Sequence, residues 1–164
     1  MALTTEQLSL IETLFTRKQT YYRLAYSILG NESDALDAVS QMTLRIVEKI
    51  DSLRDQEAFF AWSRRILINI CHGFWRQNKP YVPLQDALLS EANEGSPGED
   101  ALYIRRMVSL LPEIHREVVY LRYFMDYEYK DIAIILEIPE GTVKSRLNRA
   151  IESLRQQMGE EADG

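Results

Sequence analysis

Cysteine is nearly absent from this sequence of 164 residues, and Cys71 is its single instance. An internal disulfide is therefore excluded, which fits a reducing compartment such as the cytoplasm. The sequence has only two histidines, and Cys71 and His72 are adjacent, so both cannot point inward from one helix. Because this leaves no set of zinc ligands, we expect neither a metal site nor a cofactor.

Long apolar runs are missing as well. No stretch approaches the roughly 20 apolar residues that span a membrane, and the N-terminal MALTTEQLSLIETLF lacks the basic start and apolar block of a signal peptide. We therefore expect a cytoplasmic protein without direct membrane insertion. No nucleophile–base pair or glycine-rich phosphate loop is evident, so the sequence does not indicate an enzyme or a small-molecule substrate.

Strand-like alternation is also lacking, and the apolar residues recur almost throughout at helical spacing. Thr4 and Gln7 are spaced as a capping box, Gly30 is a helix stop, and Asp55 is a candidate N-cap. The pattern predicts helices at 5–29, from about 33 to 50, at 56–78, 99–110, 113–125, 127–136 and 140–157.

Two of these helices have a predicted buried side. The helix that begins near Ser33 is expected to turn Leu36, Val39, Leu44, Val47 and Ile50 inward. On the next helix, Phe60 and Trp75 lie off the spacing that faces the core. The predicted core line, meaning the residues at that spacing, consists of Phe59, Trp62, Ile66, Ile70 and Phe74.

The composition changes in the middle of the chain. Residues 84–100, LQDALLSEANEGSPGED, contain five acids, no bases and a Gly-Ser-Pro-Gly cluster, which is typical of a linker. The predicted fold class is therefore all-α, with two small helical domains joined by an acidic flexible linker. The predicted boundaries are 1–80 for the first domain, 81–98 for the linker, 99–158 for the second domain and 159–164 for a disordered tail.

One helix of the first domain has a polar stripe. Its members follow at steps of four, three, four and three, and no acid occurs between Ala58 and Gln85. Every member can donate a hydrogen bond, so the stripe can hold phosphates even though the formal net charge of the chain is −6. The alternative interpretation is an ordinary solvated face. The stripe consists of Arg65, Asn69, His72, Arg76 and Lys79.

The second domain ends in a predicted helix–turn–helix, DYEYKDIAIILEIPEGTVKSRLNRAIESLR. Donors cluster in the first turns of its last helix, where Arg and Asn can pair with base edges in the major groove. Glu137 stands in the turn, where a left-handed conformation would cost a non-glycine residue on the order of 1 kcal/mol. The donors are Thr142, Lys144, Ser145, Arg146, Asn148 and Arg149.

Both halves resemble bacterial extracytoplasmic-function (ECF) RNA polymerase sigma factors of the sigma-70 family. In the C-terminal half the resemblance lies in Leu111-Pro112, Arg116-Glu117-Val118, Leu121-Arg122-Tyr123-Phe124, Asp131-Ile132-Ala133 and Gly141-Thr142-Val143-Lys144-Ser145-Arg146-Leu147. In the N-terminal half it lies in Asp34-Ala35, Asp37-Ala38-Val39, Phe59, Trp62, Ile66 and Asn69. Ser40-Gln41-Met42 stands where the family usually has a Gln-Glu pair, so the resemblance fixes the matching polymerase contacts only to within one residue.

The resemblance implies an alternative sigma factor that directs core RNA polymerase to promoters in a stress or envelope response, with an anti-sigma factor as a further partner. The second domain would recognise the minus-35 element of promoter DNA through the donors of its last helix. The first domain would read and melt the minus-ten element through Ser52, Leu53, Arg54, Arg65, Asn69, His72, Arg76 and Lys79. It would bind polymerase through Asp37, Gln41, Leu44, Arg45 and Glu48.

Other interpretations remain open from the sequence. A helix–turn–helix regulator that acts independently of polymerase would need a dimer interface or a sensor domain, and neither is evident. A helical adaptor could use the same surfaces for protein contacts alone. The acidic linker is either a simple tether or a stand-in for nucleic acid inside the polymerase.

Overall fold

The computed structural model describes residues 2–78 and 99–163, and all regular structure in these ranges is helical, which confirms the all-α fold class. The chain divides near residue 80 into two compact units. The first contains α1 (Thr5–Thr16), α2 (Lys18–Leu29), α3 (Glu32–Lys49), two 3-10 turns (Ile50–Ser52 and Gln56–Ala58) and α4 (Phe59–Asn78). The second contains α5 (Glu99–Ser109), α6 (Glu113–Val119), a π-helical segment (Tyr120–Phe124), α7 (Tyr129–Leu136) and α8 (Glu140–Asp163).

The predicted linker at 81–98 and the predicted contact residue Lys79 lie outside the described residues. Within the two described ranges, no helix combines the length and the apolarity that crossing a membrane would require.

The N-terminal segment is two helices, so the prediction of one helix over 5–29 is wrong. The break is at Arg17, where φ is −107° and ψ is 18°. The hydroxyl groups of Thr13 and Thr16 donate to carbonyl oxygens of the preceding turn, over 2.9 Å each. Such side-chain bonds compete with the helical ladder and bend it. This gives a local reason for the break.

Local end signals were predicted well. The capping box of α1 is present, because Thr4 Oγ1 accepts from the Gln7 backbone N–H over 3.1 Å and Gln7 Oε1 accepts from the Thr4 N–H over 3.0 Å. Gly30 ends α2 with a left-handed φ of 78°. Asp55 caps the turn before α4 by accepting from the Glu57 N–H. These devices satisfy backbone groups that helix ends leave without partners.

The inward side of α3 differs from the predicted one and includes two alanines. Leu36, Leu44 and Val47 are 43%, 66% and 40% exposed, so their predicted burial is wrong, whereas Val39 and Ile50 are buried. Alanine side chains let the backbone of α3 come close to α2 and α4, and this rotates the larger aliphatic residues outward. The helix's buried residues are Ala35, Ala38, Val39, Met42 and Ile46.

A polar bond joins α2 to α4 inside the first unit. The Tyr21 hydroxyl and the Ser63 hydroxyl lie 2.7 Å apart, and both residues are buried. The buried line of α4 runs through Ser63 and Leu67 as well as the predicted Phe59 and Ile70. Three other residues of the predicted core line are only half-buried: Trp62, Ile66 and Phe74.

The second unit departs from its prediction at two helix ends. The helix predicted over 113–125 is α-helical only to Val119 and then widens to a π-helical segment, in which the Met125 N–H donates to the Tyr120 carbonyl over 3.0 Å. The last helix continues to Asp163, so the tail predicted to be disordered is helical to that residue.

The turn of the helix–turn–helix contains the left-handed residue whose cost the sequence analysis gave only as a condition. Glu137 is left-handed, with φ 58° and ψ 45°. Its N–H donates to the Ile134 carbonyl over 3.4 Å, and the Ile138 N–H donates to the Ala133 carbonyl over 3.1 Å. This pair of bonds is a Schellman motif, in which glycine is the preferred left-handed residue.

Replacing Glu137 by glycine should therefore stabilise the second unit. Removing the side chain relieves a left-handed strain of about 1–2 kcal/mol, which outweighs the greater freedom of glycine in the unfolded chain. We expect the free energy of unfolding to rise by up to about 1 kcal/mol in urea titrations. The matched control is Glu152→Gly at an exposed helical position, which should cost about 1 kcal/mol. A Glu137→Gly protein no more stable than the parent would contradict the strain.

Candidate nucleic-acid interfaces

The predicted donor stripe of α4 is exposed on one edge and buried on the other. Asn69 and Arg76 are exposed and Arg65 is half-buried, whereas His72 is only 5% exposed. An α-helix drifts by about 20° over seven residues, so His72 is rotated from Arg65 toward the interior. The prediction that His72 lies on the exposed stripe is therefore wrong.

The connection between α3 and α4 presents three predicted contact residues. Ser52 and Arg54 are exposed and Leu53 is half-buried. The Ser52 hydroxyl donates to the Lys49 carbonyl over 2.6 Å, and the Leu53 N–H donates to the Ile50 carbonyl over 3.1 Å. These local bonds shape the connection as a tight turn from which the Arg54 side chain extends into solvent.

In the second unit, α8 carries exposed donors along two successive turns. Thr142, at the start of the helix, is half-buried. This face contains the guanidinium, ammonium, amide and hydroxyl groups that pair with base edges and phosphates. The exposed donors are Lys144, Ser145, Asn148 and Arg149.

Arg146 differs from these neighbours because it points toward α6. Its Nη1 lies 3.8 Å from Glu117 Oε1, and the two side chains are 25% and 7% exposed. A buried carboxylate needs a nearby cation to offset its lost hydration. Arg146 therefore anchors α8 to α6 and is not part of the exposed donor face.

His115 lies close to the same cations. Burial lowers its pKa, and the positive charges of Arg149 and Arg146 lower it further. The ordinary value is already near 6.5, so His115 is neutral at neutral pH. The exposed positive charge on this part of the unit therefore comes from arginine and lysine.

Beside the predicted donor Lys144, the structure places a charged residue that the sequence analysis did not select as a contact, Arg122. The Tyr129 ring lies 5.1 Å from the Arg122 guanidinium and 5.8 Å from the Lys144 ammonium. Arg122 is oriented by donating to the Tyr127 carbonyl over 3.1 Å. The Tyr129 ring begins the first helix of the helix–turn–helix, which crosses the DNA backbone, so Arg122 beside this ring is a candidate phosphate contact. In the sequence, the only signal for Arg122 was its place in the Leu121-Arg122-Tyr123-Phe124 motif of the family resemblance.

Phe60, which the sequence left off the core line, lies in a second such cluster. The guanidinium carbon of Arg17 is 4.3 Å from the ring centroid, and that of Arg64 is 5.6 Å away. Both distances fall within the cation–π range. The cluster ties the break between α1 and α2 to α4.

The exposed side of α3 is both polar and apolar. All five predicted polymerase-contact residues on it are exposed: Asp37, Gln41, Leu44, Arg45 and Glu48. Beside them lies a cavity of about 370 Å³ between α1, α2 and α3, open to solvent, where Phe15 is 65% exposed. An exposed apolar patch rimmed by charges is typical of a protein-docking site. The cavity is lined by Leu14, Phe15, Lys18, Tyr21, Val39, Ser40, Met42, Thr43 and Leu44.

Metal chemistry receives no support from the described part of the chain, which contains no cluster of His, Cys, Asp and Glu able to hold an ion. Cys71 and His72 are both buried, so the expectation that these adjacent residues could not both point inward is wrong. Burial raises the pKa of the Cys71 thiol, so Cys71 is an inert core residue.

Two family models match the chain, one on each unit. Sigma-70 region 2 matches residues 14–81 and sigma-70 region 4 matches residues 101–154. The chain is 30% identical over 155 residues to RNA polymerase sigma factor SigV of Bacillus subtilis (strain 168), with 93% of this chain and 92% of SigV covered. It is 31% identical over 157 residues to the ECF RNA polymerase sigma factor SigW of the same organism, with 86% and 84% covered.

The fold is also similar to a solved sigma factor, RpoE of Bartonella quintana, in its complex with the anti-sigma factor NepR. The TM-score is 0.64 at 23% identity, and 90% of this chain and 95% of RpoE are covered. Together, the matched regions and the relatives of nearly equal length show that the chain belongs to the ECF sigma factors of the sigma-70 family, which direct core RNA polymerase to promoters and are not enzymes.

Proposed function

We propose that this sigma factor uses three separate surfaces, two for promoter DNA and one for polymerase. The exposed face of α8 reads the minus-35 element, α4 and the turn before it read the minus-ten element, and α3 docks on core RNA polymerase. The observation that carries the proposal is the row of exposed donors on α8, the second helix of a helix–turn–helix in a member of this family.

For the minus-35 element, the donors divide by chemistry. Arg149 and Asn148 are suited to bidentate pairing with guanine and adenine in the major groove. Lys144, with Arg122 beside the same Tyr129 ring, is suited to phosphate contacts that position the helix. Thr142 and Ser145 supply shorter hydrogen bonds.

For the minus-ten element, the exposed edge of α4 and the turn before it act together. Arg65 and Arg76 hold phosphates, and Lys79 keeps the same role on the strength of the sequence alone. Asn69 reads or supports a base, as an amide can. Ser52, Leu53 and Arg54 receive a base flipped from the non-template strand, which must leave the stack before a protein can enclose it. His72 is not included, because it is buried.

For docking, α3 presents Leu44 within a charged rim and next to the open apolar cavity. Burying such a patch against polymerase gives affinity, and the charges set the register. The same exposed patch suits an anti-sigma factor that blocks polymerase binding, a type of partner seen with the solved relative RpoE. The chain would act in the cytoplasm, where polymerase and chromosome are found.

The test is promoter mapping with purified components. The chain is mixed with core RNA polymerase of a cognate bacterium and genomic DNA fragments, and transcript starts are sequenced with and without it. New starts that share two upstream elements at a fixed spacing support the proposal. Retention of specific duplex DNA by the chain alone, without new starts, would instead favour a regulator that acts independently of polymerase.

Arg149→Ala should weaken minus-35 recognition without harming the fold. Losing a bidentate contact between an arginine and a base costs about 1–3 kcal/mol. We therefore expect a roughly tenfold loss of promoter binding by holoenzyme, with core binding unchanged. Filter binding and core-binding titrations measure the two. The matched control is Arg146→Ala, which should instead lower the free energy of unfolding by on the order of 1–2 kcal/mol because the buried Glu117 loses one of its nearby cations. Equal behaviour of the two variants would contradict their different roles.

Asn69→Ala should impair promoter opening more than promoter docking. The amide acts on the minus-ten strand once it is melted, so the expected loss is about tenfold in open complexes, with little change in closed-complex affinity. Permanganate reactivity of minus-ten thymines reports opening. Gln77→Ala, also exposed on α4 but off the stripe, is the control. Unchanged opening with Asn69→Ala would remove Asn69 from the minus-ten surface.

Leu44→Ser should weaken binding to core polymerase. The side chain is 66% exposed in the free protein, so its loss should change the free energy of unfolding by less than about 0.5 kcal/mol. As an interface anchor, its truncation should cost core binding about tenfold. Leu8→Ser, on the 48% exposed Leu8 of α1, is the control. The docking assignment fails if both variants bind core polymerase as well as the parent does.

A further inference from the structure

The first turn of α1 makes a hydrogen bond near each end of the connection between α3 and α4. Gln7 Nε2 donates to Asp51 Oδ1 over 2.8 Å, and Gln56 Nε2 donates to Glu6 Oε2 over 2.6 Å. These bonds join residues that are 44 and 50 positions apart in the chain. Between their two anchor points lie residues 52–55, the turn that carries the proposed minus-ten contacts.

The orientation of the Gln7 amide is set by a second bond. Its Oε1 accepts from the Thr4 backbone N–H over 3.0 Å as part of the capping box, which leaves the amide nitrogen directed at Asp51. One side chain thus closes the start of α1 and also holds the connection. A glutamate at position 7 would preserve the capping box, because either carboxylate oxygen can accept, but it would place a negative charge against Asp51.

The other hydrogen bonds of the connection are local. The Leu53 N–H donates to Ile50, and the Glu57 N–H donates to Asp55. Such bonds fix the shape of each turn, but they do not fix where the turns lie relative to the helices. The buried Ile50 holds the start of the connection, and the two bonds to α1 tie its polar residues to a further helix. Glu6 and Gln7 precede the match to sigma-70 region 2, which begins at residue 14.

We infer that Glu6 and Gln7 are positioning residues for recognition of the minus-ten element. They hold Asp51 and Gln56 in place, so that the turn between them meets the melted strand already ordered. Ordering the turn before binding removes that entropic cost from the recognition step. The inference rests on the proposed role of this turn in minus-ten reading and extends the reading machinery to a helix that touches no DNA.

The test uses two pairs of variants that place like charges together and then separate them. Gln7→Glu puts a carboxylate against Asp51, and adding Asp51→Asn restores a donor and an acceptor. Gln56→Glu puts a carboxylate against Glu6, and adding Glu6→Gln restores that pair in swapped order. Glu12→Gln, an exposed acid on the same helix, is the control for changed charge.

All variants are assayed in holoenzyme on the strongest promoter from the mapping experiment and on versions with each minus-ten base replaced. We expect Gln7→Glu and Gln56→Glu each to reduce the fraction of open complexes by about twofold to tenfold, which is the effect of losing one hydrogen bond. We also expect each variant to discriminate less between minus-ten bases. Each double variant should recover to within about twofold of the parent. Core binding and the urea midpoint of unfolding should match those of Glu12→Gln.

Rescue shows that the effect of each single variant acts through its partner residue. The unchanged core binding and urea midpoint separate positioning from a general loss of stability. If Gln7→Glu and Gln56→Glu behave like Glu12→Gln while Arg54→Ala changes base preference, the turn reads the minus-ten element without help from α1 and the inference is overturned. The inference is also overturned if the double variants stay as defective as the single ones. If Arg54→Ala and Leu53→Ala both leave base preference unchanged, the role of the turn itself fails, and the inference fails with it.

Discussion

The close packing of α3 is the constraint on which the first unit depends. Ala35 and Ala38 are fully buried, and their small side chains let this helix lie against α2 and α4. Met42 and Ile46 complete the inward stripe, and Leu44, which lies between them in the sequence, is left outside on the docking face. The same packing sets the point at which α3 ends, at the buried Ile50, and hence where the connection to α4 begins.

In the second unit, one buried carboxylate has a comparable effect. Glu117 on α6 is almost completely buried, and Arg146 on α8 lies 3.8 Å from it. Val143, Leu147 and Ala150 pack inward and set the rotation of α8, and the ion pair draws Arg146 toward α6 while Asn148 and Arg149 face solvent. A helix rich in arginine thus has two functions. One arginine holds the helix in place and the other is available to promoter DNA.

Sequence analysis succeeded where the controlling interactions are local. The capping box at Thr4, the stop at Gly30 and the cap at Asp55 all depend on residues within one or two turns of each other. The helical period alone was enough to predict the all-α fold. The choice of inward residues was less successful. Helical spacing shows that an apolar stripe exists, but it does not show which of two adjacent stripes packs against the other helices.

By itself, therefore, the sequence determined the helices, most of their ends and the family, since propensities, caps and motifs are properties of short segments. Only the tertiary structure decided that His72 is buried, that Arg146 is an anchor and that Gln7 reaches Asp51. Burial and long-range bonds depend on which helices lie against one another. That arrangement follows from the packing of the whole unit and cannot be deduced from the spacing of residues along one helix.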